Sequence, residues 1–202
     1  MLTQDNRLDL YATLCSLFCY PDEDLVEQLE TGQLSVIPEI LPSASPPPDF
    51  EGSLDLSALQ VSYTSLFINR LGGVPAPPYG SAYLDENRLM GTSTQQVEKL
   101  FAEGGLAVEG SSEPADYLPT ELEFMFRLIE SEEAALERDD AEAAQLFSTL
   151  QSRFVNTCLY PWVGEFSRRI QQDKESHPLY SWASQLLVDF CEAEHESLPA
   201  TN

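Results

Sequence analysis

EPADYLPTELEFMFRLIE, residues 113–130, is the stretch whose reading decides the fold. Pro114 biases Glu113 away from the α region, so the chain does not enter this segment as helix. Asp116 is a good N-cap type, able to accept from the open backbone N–H groups of a first helical turn. Pro119 then falls inside that turn, where its missing N–H costs nothing. Leu122, Met125, Phe126 and Ile129 follow at i, i+3, i+4 and i+7, which makes one helical face apolar. Glu121 and Glu123 flank that face. The pattern predicts a helix to about Arg138, entered through a rigid kink that sets carboxylates beside an apolar stripe. Such an arrangement is either a plain connector or the floor of a site that reads something cationic and apolar at once.

Helical periodicity continues on both sides. Upstream, residues 5–19 place Leu8, Tyr11, Leu14, Cys15 and Phe18 on one face, and Pro21 ends the run. Asp22 can cap a second helix bearing Leu25, Val26 and Leu29, with Gly32 as its stop. Residues 42–53, PSASPPPDFEGS, read as a proline-rich loop. A helix from about Leu56 to Arg70 turns Leu56, Leu59, Tyr63, Leu66 and Phe67 inward. The apolar loop from Gly72 to Ser81 fits neither helix nor central strand. Ser93 and Gln96 form a weak capping box for a helix with Val97, Leu100 and Phe101. Downstream, Asp139-Asp140 starts a helix with Leu146, Leu150, Phe154 and Cys158 on one face. Tyr160-Pro161-Trp162 bends the chain into a helix with Val163, Phe166 and Ile170, and Pro178 opens the last one. The chain therefore reads as all-α, a single helical domain of about eight helices. Its N-terminal half, 1–103, joins its C-terminal half, 117–202, through a hinge at 104–116.

Charge narrows the function. The 202 residues carry 34 acidic against 10 basic side chains, a net −24. That field repels nucleic acid and anionic lipid and attracts basic partners. No basic patch exists, so nucleic-acid binding is not expected. The first eighteen residues lack a cationic region and a continuous apolar run, so no export signal is expected, and no segment is long enough to span a bilayer. A cytoplasmic protein with four reduced thiols follows. Cys15 and Cys19, at i and i+4, read as structural thiols on a buried face. His177 suits a cap region and His195 a helix C-terminus. Neither has a nucleophile partner evident in the sequence, and there is no phosphate loop and no metal-ligand pattern. The expectation is no enzyme, no metal and no cofactor.

Three stretches together resemble the TorD/DmsD family of redox-enzyme maturation chaperones. Tyr63 to Asp85, YTSLFINRLGGVPAPPYGSAYLD, followed by LMGTST at 89–94, is similar to that family's Leu-Phe helix end, Pro-Pro-aromatic-Gly-Ser loop and Gly-x-Ser-Thr turn. Glu113-Pro114-Ala115-Asp116-Tyr117 resembles its Glu-x-x-Asp-His hinge, with Tyr117 in place of the histidine. Leu159-Tyr160-Pro161-Trp162 and His177-Pro178-Leu179-Tyr180 resemble its Pro-Trp and His-Pro-x-Tyr segments. The resemblance covers nearly the whole chain.

It implies an all-helical chaperone that binds the twin-arginine leader and the apo form of a molybdenum-containing oxidoreductase subunit, holding it for cofactor insertion before export. It carries leader contacts onto Tyr63, Leu66, Phe67, Pro78, Tyr79 and Asp116, and Tyr117 follows in the same hinge. The residues themselves point to the same class of ligand. Carboxylates at Asp116, Glu121 and Glu123 suit a guanidinium, while the apolar loop and the Leu66/Phe67 face suit the run that follows it. The alternative is an acidic protein that mimics nucleic acid toward a basic partner, although such a mimic has no use for a proline-aromatic loop. The protein is expected as a monomer or as a dimer exchanging halves at the hinge.

Overall fold

The computed structural model describes residues 2–49, 54–86, 88–105 and 113–198, and every regular element among them is helical. In chain order these are α1 (Gln4–Phe18), α2 (Glu23–Glu30), α3 (Ile37–Ile40), α4 (Leu56–Tyr63), α5 (Ser81–Leu84), α6 (Thr92–Glu103), α7 (Leu118–Glu137), α8 (Ala141–Phe154), α9 (Tyr160–Gln172) and α10 (Pro178–Ser197). Eight of them run to eight residues or more, as the periodicity predicts. The expected hinge falls largely outside the described residues.

Local chemistry explains most of the boundaries. Asp22 accepts from Leu25 N at 3.0 Å and caps α2, and Gly32 stops it in the left-handed region at φ 70°. Asp140 caps α8 through Ala143 N. His177 Nδ1 accepts from Leu179 N ahead of Pro178. The helix predicted at 56–70 ends in a π turn, Thr64–Ile68, that continues α4. A second π turn, Val155–Leu159, carries α8 into α9 without a break. Pro161 has no N–H to return to the carbonyl four residues back, and a wider turn accommodates that loss.

α7 is the element the others pack around, lying against α1 on one side and α8 on the other. Its Leu122, Met125, Leu128 and Ile129 are fully buried, each contributing about 1.5–3 kcal/mol by leaving water. α10 lies on α9 and reaches α1, so one core cluster holds Leu14, Met125 and Phe190 together.

A buried polar network ties the same helices. Arg7 donates to both oxygens of Glu194, at 2.8 and 2.7 Å, and to Gln151 Oε1 at 2.8 Å. Tyr11 Oη donates to Glu194 Oε2, and Gln151 Nε2 donates to Glu132. Burying a charge is tolerable only with such pairing.

Several expectations need correction. Leu146 is half exposed instead of buried, because α8 turns it to the solvent side of its stripe. Cys19 is exposed and Cys15 only partly covered: Cys19 is the C-cap just past α1, and in that helix's last turn Leu17 and Phe18 take the buried positions. Ser93 does not cap α6. That helix begins one residue earlier, at Thr92, and Asp85 Oδ2 accepts from both Ser93 N and Ser93 Oγ, at 2.9 and 2.6 Å. Gly91 permits this approach, since a Cβ there would lie 2.4 Å from Asp85 Oδ2.

Candidate functional site

Asp116 is not the N-cap of α7. The residue in that position is Tyr117, and its side chain makes no capping bond. The Asp116 side chain turns inward, almost wholly buried. Oδ2 accepts from Ser81 N at 2.7 Å and Oδ1 from Thr94 Oγ1 at 2.9 Å. One carboxylate thus fastens the start of α5 and the first turn of α6 to the segment before α7. The backbone repeats the joint: Gly80 N donates to Asp116 O at 3.0 Å and Leu118 N to Pro78 O at 2.9 Å. These two bonds flank an antiparallel bridge between Tyr79 and Tyr117.

The bridge sets two tyrosines side by side at the surface. Their ring centroids are 5.5 Å apart, both rings are partly exposed, and Tyr79 Oη donates to Glu113 Oε2 at 2.7 Å. Behind them, Tyr63 Oη donates to Phe18 O at 2.8 Å. A hydroxyl has one hydrogen to give, so the 3.1 Å contact between the hydroxyls of Tyr63 and Tyr117 has Tyr117 as donor. Tyr20, half exposed, packs edge-on against Tyr63 at 5.4 Å. The result is a row of four tyrosines, Tyr20, Tyr63, Tyr117 and Tyr79. Burial pushes the phenols of Tyr63, Tyr117 and Tyr79 above their ordinary range, so all three stay neutral at physiological pH.

The residues singled out from sequence divide sharply by burial. Tyr63, Leu66, Phe67, Pro78, Asp116 and Glu121 are buried, whereas Tyr79, Tyr117 and Glu123 reach solvent. Leu66 and Phe67 do not form an open apolar face. Phe67 stacks on Phe166 and meets Tyr63 and Tyr180 edge-on, so these side chains build the wall behind the tyrosine row. Glu123 forms an exposed ion pair with Arg127 at 3.7 Å, a pairing worth little in water. Tyr20 and Thr94 were missed as members of the site. Thr94 lies in the Gly-x-Ser-Thr turn, but its partner is 22 residues away, beyond the reach of local pattern.

Glu121 is the anomaly. Its carboxyl is fully buried and neither oxygen has a hydrogen-bond partner. Burial first, and then the charge of Asp116, hold its pKa well above the carboxylate range. The Trp162 indole N–H opposes that shift from close by without reaching hydrogen-bond geometry, and it is itself unpartnered. The group is therefore a neutral acid inside the core, not a surface contact for a cation.

The profile of the nitrate reductase delta subunit matches residues 35–168, more than half of the chain and both residues of the Tyr79–Tyr117 bridge. The chain belongs to the nitrate reductase delta subunit family. Among relatives within reach of this family member are proteins called chaperone protein TorD. That of Vibrio parahaemolyticus is 34% identical over 122 residues, 59% of this chain and 54% of its own length. That of Aliivibrio salmonicida is 26% identical over 206 residues, 94% of this chain and 93% of its own. The chain spans about half the length of the Vibrio relatives it matches. A crystal structure from Archaeoglobus fulgidus, described as a candidate redox enzyme maturation protein, superposes with a TM-score of 0.57 at 27% identity, covering 92% of this chain and 93% of that one. Among the described residues no helix is long and apolar enough to cross a membrane.

Proposed function

We propose that this delta-subunit family member is a maturation chaperone for a molybdenum-containing oxidoreductase subunit and that it binds the twin-arginine leader of that subunit over the row of tyrosines. It acts in the cytoplasm, performs no catalysis of its own, and holds the apo subunit until cofactor is in place. The observation that carries the reading is the Tyr79–Tyr117 bridge, which sets two neutral aromatic rings beside the Glu113 carboxylate. Aromatic faces attract guanidinium groups, and a carboxylate pairs with them. The TorD relatives, called chaperones, and the fold shared with the Archaeoglobus protein support the same assignment.

Within this function the buried residues have positioning roles. Asp116 fixes the bridge from behind, and Phe67 and Leu66 make its backing rigid. The net −24 speeds encounter with a basic leader in a salt-dependent way, while ring contacts set how slowly it leaves.

Titration calorimetry and stopped-flow binding with a peptide carrying paired arginines, against the same peptide with paired lysines, test the reading. Wild type is expected to prefer arginine, and Tyr79→Ala to weaken binding mainly through faster dissociation. Equal binding of both peptides, or a Tyr79→Ala variant indistinguishable from wild type, rules out recognition at the tyrosine row.

A further inference from the structure

The outer face of α4 and its π turn is left open. A groove of about 410 Å³ runs along it, lined by Tyr20, Gln60, Val61, Thr64, Ser65 and Asn69 among others. Tyr20 and Val61, which line it, are 51% and 69% exposed, and Ile68 at the end of the same π turn is 56% exposed, a sizeable exposed apolar surface. No lining residue is charged. The sequence around it is equally unusual: Leu56 to Leu84 contain no Asp or Glu, in a chain with 34 of them.

Several of the groove's polar atoms are already engaged, while Ser57 and Asn69 add a hydroxyl and an amide to its lining. Gln60 Nε2 donates to Pro21 O at 3.0 Å, Thr64 Oγ1 to Gln60 O at 2.8 Å, and Ser65 Oγ accepts from Arg70 Nε at 2.6 Å. What remains for a ligand is mostly methyl, methylene and ring surface. Such a surface suits a segment that satisfies its own backbone, which means an apolar helix laid in a groove.

We propose that this groove takes the apolar run that follows the paired arginines of the leader, bound as a short helix. The proposal rests on the leader-binding reading above and extends it to a second part of the same ligand. Two observations select this occupant. Charge is divided as the ligand's is: the Glu113 carboxylate borders the tyrosine row, and no acidic residue lines the groove beside it. The two regions are also continuous, because Tyr20 lines the groove and packs against Tyr63, whose hydroxyl meets that of Tyr117. A second copy of the chain is a poor occupant, since it brings a net −24 against another −24.

The test uses the full chain, three synthetic peptides and the double variant V61N/I68N, which leaves net charge unchanged. The long peptide has paired arginines and a ten-residue Leu/Ala run. The short one ends soon after the arginines, and the third carries a proline in the middle of the run. Wild type is expected to bind the long peptide roughly tenfold or more tighter than the short one, the weight of about one aliphatic side chain withdrawn from water. The central proline and V61N/I68N should each erase that advantage, while affinity for the short peptide stays the same. A thermal melt confirms that the variant is folded. If the variant keeps the advantage, or if wild type binds long and short peptides alike, the groove proposal fails and leader binding at the tyrosine row stands. If wild type binds neither peptide, both fail. Sedimentation showing a wild-type dimer that V61N/I68N dissolves gives the face to a second copy and also overturns the proposal.

Discussion

Replacing Glu121 with glutamine should stabilise the protein, and by an amount that grows with pH. The side chain is fully buried, with no partner for either oxygen, and its folded pKa lies well above the ordinary carboxylate value. In the unfolded chain the same carboxyl ionises near pH 4.3. Above that pH the folded state holds a proton that the unfolded state releases. Proton loss therefore favours unfolding, and the contribution of Glu121 to stability falls as pH rises through the window between the unfolded and folded pKa values. While the folded carboxyl keeps its proton, the slope is about 1.4 kcal/mol per pH unit. Glutamine fills the same space and cannot ionise in either state. Urea denaturation of wild type and Glu121→Gln at pH 5.5, 6.5 and 7.5 isolates the effect, because the titration of other groups is common to both proteins. The variant's advantage should widen at each step. A difference that stays constant across that range refutes the neutral buried acid, and with it the account of Glu121 as a core residue.

Asp116→Asn should lower the melting temperature, since the amide removes the charge from both bonds and sets an NH2 where one carboxylate oxygen accepted, at about 1.5–3 kcal/mol; a melt as high as wild type's would show that these two bonds do not hold the joint. Arg7→Met should cost about 3–5 kcal/mol by leaving the Glu194 carboxylate buried and unpaired, and adding Glu194→Leu should recover most of it in chemical denaturation; no recovery means that packing of Arg7, not its charge, matters. Gly91→Ala should displace Asp85 from Ser93, seen as faster amide exchange in the first turn of α6, and unchanged exchange there would contradict the close approach.

The helices were legible because their signal is local: apolar spacing within a turn or two, and caps such as Asp22 and Asp140 next to the turns they close. The same signal already held the truth about Leu66 and Phe67. Their periodicity with Leu59 and Tyr63 marks an inward face, and the structure buries them, whereas the resemblance and the reading of an open Leu66/Phe67 face both made them contacts. What escaped the sequence depends on distant partners. Asp116 has the residue type and position of a cap for α7, yet a backbone N–H 35 residues earlier competes for the same oxygen and wins, because burial rewards the stronger, fully enclosed bond. Tyr20 carries no mark of its own; it joins the site only because α1 ends beside α4. Nor does any local rule announce that Glu121, on the polar flank of its own helix, faces Trp162 from another.

The bond between Arg7 and Glu194 spans 187 residues, and this has a consequence for the order in which the protein is made. At about 5–20 residues per second, α10 leaves the ribosome roughly 10–40 s after α1. Through that interval α1 has neither its charge partner nor the α10 side of its packing, although its α7 side becomes available earlier. Leu10, Tyr11 and Leu14 are thus exposed on a helix that cannot yet be closed in. A nascent chain stalled before α10 should be bound by general chaperones and cut readily by proteases at its N-terminal helix. On the function proposed above, a protein that shelters unfinished clients is itself, for those seconds, a client.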